Sequence, residues 1–363
     1  MKLSDYPYSY PTKGTFAGFT LQTRFPKILK DVLDNPELNP ASKTQLTSLL
    51  NNLDNQRIEP IELTSEESVF WQPFFEEYTG KRFEEVPFFF LEIYLYRLIN
   101  LIISSNQDFI DPFGHIKRQD LEKNTAFFKQ LANDRSELSI DQCIHLAVEG
   151  NQADLSQLAG STKGNPLSYL IDDSDLLINQ IPETGIHLIA DNSGVELFTD
   201  LLLITKLSET CEQITLHLKH MPLLVSDATP NDLEILLEHL ELIGLADFVS
   251  DIQQLIDSNK LKVTSQPFWN APTFYDELSF IEKPTNLLIT KGDANYRRFF
   301  HDKVFPAHLS FELESIGFDK VFTLRTLKSD IQTGLKKDQV EALQNQDPEW
   351  MHNGKYAVIQ QLK

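Results

Sequence analysis

Two chemically distinct sets of residues recur at the ends of strand-like runs in the second half of this 363-residue chain. Asp191, Asn192 and Asp227 offer hard oxygen ligands, whereas Lys291, Arg325, Lys328 and Lys355 offer cationic donors. Two carboxylates and one amide leave coordination positions open for water and phosphate, which suits Mg or Mn. A divalent metal beside a cationic clamp is the arrangement phosphoryl transfer requires. The metal activates water and neutralises phosphoryl oxygens, and Arg and Lys carry the remaining charge.

The elements that must position these residues follow from the hydrophobic pattern. Gly185 to Ala190 is an apolar run short enough for a buried strand, and it stops at Asp191-Asn192-Ser193-Gly194 before a helical pattern from Glu196 to Leu207. Further strand-like runs are Gln213 to Lys219, Lys262 to Ser265, Asn286 to Thr290, Val321 to Arg325 and Tyr356 to Gln360, mostly separated by connections long enough for helices. The first half carries helical spacing at Phe25 to Leu33, Ser42 to Leu53, Ser68 to Tyr78, Pro87 to Ser104, Asn124 to Leu131 and Ile140 to Glu149. The pattern predicts an α/β fold: a mostly parallel sheet flanked by helices in a Rossmann-like three-layer arrangement, preceded by an all-helical lobe. The division falls near residue 180, with the helical lobe in 1–180 and the α/β metal-binding domain in 181–363, packed as one unit. In such sheets ligands bind outside the carboxyl ends of the strands, where Asp191 and Asn192 stand.

Composition removes several function classes. Lys plus Arg number 32 against 53 Asp plus Glu, and the net charge of -21 opposes nucleic acid and anionic membrane surfaces, so an anionic ligand needs a local positive pocket. The apolar segment Val86 to Ser105 carries Glu92, Arg97 and Asn100, which are costly at a bilayer centre, and reads as a buried helix. Cys143 and Cys211 form no CxxC pair, and the start of the chain lacks a signal-peptide core; both point to the cytoplasm. There is no GxSxG, Walker lysine loop or GxGxxG to support acyl hydrolysis, P-loop chemistry or dinucleotide redox.

At the residues above, the chain resembles the metal-dependent damage-control phosphatases, and within them the subfamily marked by Arg-Thr-x-Lys, here Arg325-Thr326-Leu327-Lys328. Asp191-Asn192-Ser193-Gly194-Val195-Glu196, Val225-Ser226-Asp227 and the run from Lys291 to Arg297 resemble family motifs in family order. The likeness reaches the Phe16 to Arg24 stretch and Glu92 to Arg97. The resemblance implies that Asp191, Asn192 and Asp227 bind a divalent metal (Mn, Co, Ni or Mg), and that Arg325, Thr326, Lys328 and Lys355 hold substrate, with Lys291 beside them. It implies that Glu196 and Asp293 contact the sugar or assist at the phosphate, Asp293 joining Asp191 as a catalytic residue, and that Arg24, Glu92 and Arg97 contribute from the helical lobe. The implied substrates are small sugar phosphates such as fructose phosphates. Whether water attacks phosphorus directly or Asp191 first forms an aspartyl phosphate stays open at this level.

Taken singly, each segment has a plainer explanation. Asp-Asn-Ser-Gly is good turn and capping chemistry, Asp227 before Thr229-Pro230 can start a helix, Lys291-Gly292-Asp293 can be a strand-end turn, and Arg325 and Lys328 can be solvated. Family order is what weighs against all four together. His187, His217 and His220 read as hydrogen-bonded strand histidines rather than ligands. Two other functions compete: a carboxyl (glutamate) methyltransferase using S-adenosylmethionine on the same fold, and a binding protein with a decayed site. The absent glycine-rich first loop and the cationic cluster argue against the first, and the intact metal and clamp residues against the second.

Overall fold

The computed structural model describes residues 2–152, 167–278, 287–313 and 316–363. Among these, seven strands form one sheet: β1 (Ser168–Asp172), β2 (Ile186–Ile189), β3 (Ile214–Lys219), β4 (Leu261–Gln266), β5 (Leu287–Lys291), β6 (Lys320–Thr326) and β7 (Tyr356–Gln361). The order across the sheet is β1-β7-β6-β5-β2-β3-β4. Strands β2 to β6 run parallel, and β7 pairs antiparallel with β6 and parallel with β1. Central strands covered on both faces are buried throughout, as β2, β3 and β5 are, and their polar members His187, Thr215, His217, Lys219, Thr290 and Lys291 are buried with the rest.

All six expected strands are present, within a residue or two of the expected ends; Asn286, the expected start of one, lies outside the described residues. Strand β1 was not expected. It is a half-buried edge of five residues, Ser-Tyr-Leu-Ile-Asp, and it pairs only with β7, so no continuous apolar run announces it. The sheet thus draws one strand from before residue 180.

From β2 the chain builds outward through β3 to β4, then returns to place β5 and β6 on the other side of β2. The reversal between β2 and β5 opens a crevice at the carboxyl ends of these strands. Behind it, the helix Val195–Leu207 is buried almost throughout and packs Phe198 against Phe128 and Phe248, with ring centroids 4.9 and 5.5 Å apart.

The N-terminal helices Phe25–Leu33, Pro40–Asn51 and Ser65–Tyr78 surround Phe88–Ser104, the apolar segment of the sequence, which is buried in protein. No helix among the described residues is long and apolar enough to cross a membrane. The charged groups of this buried helix and the Asn100 amide nitrogen find partners, whereas Asn100 Oδ1 is buried without one. Arg97 holds Glu67 through Nε at 3.0 Å and Nη2 at 3.1 Å, Asn100 donates to the Pro222 carbonyl at 2.7 Å, and Glu92 accepts from Arg297 at 2.5 Å. Two of these contacts, at Asn100 and Glu92, tie the helical lobe to the sheet domain.

Candidate active site

The crevice is built from four strand ends. Asp191 and Asn192 follow β2, and Asp227 closes the loop after β3. Lys291 ends β5 and leads through Gly292 into the helix Gly292–Phe299, and Arg325 and Thr326 end β6 with Lys328 just beyond. The β2 and β3 loops are stitched together by backbone: Ser193 N donates to Ser226 O at 2.7 Å and Ala228 N to Asp191 O at 3.0 Å, forming the isolated bridge Asn192↔Asp227. Ser226 Oγ donates to Asn192 Oδ1 at 2.7 Å, while the Asn192 amide donates to Asp191 Oδ2 at 3.2 Å and Glu196 Oε2 at 2.8 Å. One amide therefore spans two buried carboxylates.

Gly292 makes room for the first ligand. Its φ is +79°, and a Cβ there would lie 1.8 Å from Asp191 Oδ2. Only glycine accepts both the left-handed backbone and that approach.

Burial, reinforced by Glu196 and Asp227 and opposed by Lys219 and Lys328, pushes the Asp191 carboxyl up to about 8. Burial also raises Asp227, against the pull of Lys219 and the Leu224 N–H. Asp227 Oδ2 accepts from Leu223 N and Leu224 N at 3.2 and 2.9 Å, whereas its Oδ1 is buried without a hydrogen-bond partner. An orphaned carboxylate oxygen is costly unless a cation or proton meets it. The hard oxygen donors of Asp191, Asn192 and Asp227 thus fit a divalent ion such as Mg or Mn. Among the described residues no group of three or more His, Cys, Asp or Glu is arranged for a metal, and this set is two acids plus an amide.

The cations divide by role. Lys291 is fully buried, with Nζ 2.8 Å from Glu196 Oε1 and 2.6 Å from Asp200 Oδ1. Burial would lower its pKa, but Asp200 and Glu196 outweigh burial and keep it an ammonium. Arg325, also fully buried, sends Nε to Asp293 Oδ1 at 2.9 Å and Nη2 to Ser329 Oγ at 3.3 Å, over the Tyr296 ring at 4.0 Å. Asp293 Oδ1 further accepts from Lys328 N and Ser329 Oγ, both at 3.1 Å. Against the cost of burial, Arg325 and then Arg297 hold the Asp293 carboxyl below its usual range. This network fixes the turn that presents Lys328. Thr326 is buried at the strand end, its Oγ1 3.5 Å from the Val148 carbonyl.

Lys328 lines a cleft of about 870 Å3 with Arg24, Lys13, Lys27, Phe16 and Val225, between the helical lobe and the strand ends. Arg24 lies 5.7 Å from the Phe16 ring. A larger hollow of about 1010 Å3, near Arg135 and Lys206, contains none of the candidate residues.

The structure gathers Asp191, Asn192, Glu196, Asp227, Lys291, Asp293, Arg325, Thr326 and Lys328 at one end of the sheet and sets Arg24 on the wall of the adjoining cleft. Lys355 is exposed with its Nζ 3.2 Å from Asp347 Oδ2, while the backbone on either side of it meets the Lys328 turn, Gly354 N donating to Leu327 O at 3.2 Å and Leu327 N to Tyr356 O at 2.9 Å. Arg97 is committed to Glu67, and Glu92 to Arg297. Sequence reasoning missed Asp200, Ser226, Ser329, Lys117 and Lys219. Lys219 had a signal, since it ends β3 at the same sheet edge.

Residues 20–343 match the family model described as the damage-control phosphatase ARMT1-like domain. The chain belongs to this damage-control phosphatase family. It is 27% identical to damage-control phosphatase ARMT1 of Danio rerio, over 96% of this chain and 95% of that protein. It is also 27% identical to the Homo sapiens protein of that name, over 96% of each. A solved DUF89 family protein from Pyrococcus horikoshii superimposes with a TM-score of 0.46 at 14% identity, covering 96% of this chain and 98% of that one. Membership in the damage-control phosphatases makes hydrolysis the expected class of reaction for the crevice.

Proposed function

We propose that this damage-control phosphatase is a metal-dependent phosphoric monoester hydrolase that releases phosphate from small sugar phosphates, such as fructose 1-phosphate or fructose 6-phosphate, in the cytoplasm. The observation that carries the reading is the buried, unpartnered Oδ1 of Asp227 in the loop stitched to Asp191 and Asn192, at the sheet's topological switch point. Asp191, Asn192 and Asp227 would hold Mn, Co, Ni or Mg, which when bound neutralises phosphoryl oxygens and activates water.

The chain's own residues do the rest. Lys328, at the mouth of the cleft, carries charge on the phosphoryl group. Arg325 and Asp293 hold the Lys328 turn, so the clamp is set before substrate arrives. Lys291 fixes Glu196 and, through it, the Asn192 amide beside the ligand set. Lys13, Arg24, Lys27 and Lys328 outnumber Asp31 and Glu349 on the cleft wall in a chain of net charge -21, a local positive excess that would draw in an anionic metabolite.

The test is phosphate release from a panel of sugar phosphates with each of the four metals, for the native chain and Asp191→Ala. Release that needs metal and vanishes in a folded variant supports the reading; activity retained by Asp191→Ala, or none from the native chain with any metal, ends it. The methyltransferase reading is not favoured by the family match, and equilibrium binding of S-adenosylmethionine would separate it.

A further inference from the structure

Lys117 belongs to none of the motifs, yet it is buried beside the candidate metal loop. It lies on the helix Gly114–Lys123 of the N-terminal lobe, and its Nζ donates to the Asp227 carbonyl at 2.8 Å and to Asp232 Oδ2 at 3.0 Å, with Asp111 Oδ2 also at 2.8 Å. Asp232 Oδ2 in turn accepts from Thr229 N at 3.0 Å and Thr229 Oγ1 at 2.6 Å, capping the helix Pro230–Leu242. One ammonium thus grips both ends of the segment 227–232. Burial alone would discharge it, but Asp111 and Asp232 outweigh burial and keep it charged.

One turn further along the same helix, Asp120 meets the other ligand loop. A Cβ on Gly194 would lie 2.6 Å from Asp120 Oδ2, and Asn124 Nδ2 steadies the carboxylate through Oδ1 at 2.9 Å. Residues three apart share a helix face. A single face therefore touches the Asp227 loop through Lys117 and the Asn192 to Gly194 loop through Asp120.

We infer that the helix Gly114–Lys123 is a strut that sets the spacing of the two metal-ligand loops, with Lys117 and Asp120 as positioning residues for divalent-cation binding. The inference rests on the metal-dependent reading above. Lys117 Nζ bonds the Asp227 carbonyl and holds the backbone that carries the ligand, and its charge favours the ionised Asp227 carboxylate. Without the strut the two loops rest on their own backbone bonds alone and their spacing loosens, so the affected quantity is metal affinity rather than the chemistry of the loaded site.

The test is Mn titration of the metal-free full chain, followed calorimetrically, for native protein, Lys117→Met, Asp120→Ala and Leu46→Ala. Leu46 is fully buried in the helical lobe, so its truncation is a control for general destabilisation. Outer contacts of metal ligands are worth about 10- to 100-fold in affinity. Lys117→Met and Asp120→Ala are expected to weaken Mn binding by at least about tenfold, with phosphate release recovering at saturating Mn, while Leu46→Ala binds as the native chain does. If Lys117→Met does not fold, Asp120→Ala decides. Native-like Mn affinity in the folded strut variants, or an equal loss in Leu46→Ala, overturns the inference. A native chain that binds none of the four metals would instead overturn the functional reading.

Discussion

Gly292 and Asp191 are locked together across the reversal of the sheet: the Cα of one, at the end of β5, lies against the carboxylate of the other, at the end of β2. The expected metal ligand therefore has its position set by the absence of a side chain on a neighbouring strand.

Gly292→Ala is expected to push Asp191 off its position and to cost about 1–3 kcal/mol for the left-handed backbone. A misplacement of about an ångström can cost on the order of 100-fold in rate. Gly244 offers the control, since its φ is +90° and a Cβ there would meet nothing within 4 Å. Both variants should lose stability by thermal melting, but only Gly292→Ala should lose phosphate release.

Asp191→Asn is expected to stabilise the metal-free protein at pH 7. A carboxyl held at about 8 in the fold, against about 4 in the unfolded chain, binds more protons folded than unfolded, so its contribution to stability falls as pH rises between those values. The amide removes that cost and keeps a polar partner for Asn192. The melting temperature without metal should rise, and the increase that Mn gives the native chain should disappear. A lower metal-free melting temperature would contradict this.

Arg325→Met should be among the most damaging single changes, because it removes the fully buried partner of Asp293 and leaves that largely buried carboxylate without its principal cation. Breaking such a pair costs about 3–5 kcal/mol. Removing both charges in Arg325→Met with Asp293→Leu should recover part of that stability but not phosphate release, since the Lys328 turn loses its anchor. Urea unfolding of the two singles and the double measures the coupling.

His187 and His217 predict acid sensitivity. His187 Nδ1 lies 2.7 Å from His217 Nε2, an approach in which one ring must accept and two imidazoliums cannot coexist. Burial pushes them down to about 4 and about 3, so below about 6.5 the unfolded chain binds more protons than the folded one and stability falls with pH until those values are reached. Each ring contributes a slope of up to about 1.4 kcal/mol per pH unit within its own window, and the window of His217 reaches lower than that of His187. His217→Leu should flatten the loss of stability between about pH 6.5 and about pH 4 in urea titrations; an unchanged slope would count against the pair.

How much of this was legible beforehand depended on whether a residue's burial is apolar. Strands β2, β3 and β5 announce themselves as short, mainly apolar runs of Ile and Leu, and the candidate ligands Asp191 and Asn192 sit just past the end of β2. The helix Gly114–Lys123 buries Lys117, Asp120 and Leu121, so its inward face carries no hydrophobic period and apolar spacing does not mark it. Arg325 read as a free clamp because sequence spacing cannot show that Asp293 occupies its donors. Lys355 lies just before β7, beside the Arg325 to Lys328 turn, but its ammonium is exposed and meets Asp347. Charge type is visible in sequence; its partner, set by distant contacts, is not.

Strand β7 lies inside the sheet, between β1 and β6, although it is the last of the seven in the chain. During synthesis β1 therefore emerges with nothing to pair with, and β6, with Arg325 at its end, keeps an open edge until Tyr356–Gln361 has left the ribosome. Long-range pairing of this kind is slow, and an open strand edge is an invitation to other chains. The crevice is thus a late product of folding, and the period before β7 docks is when the nascent protein is most exposed to aggregation.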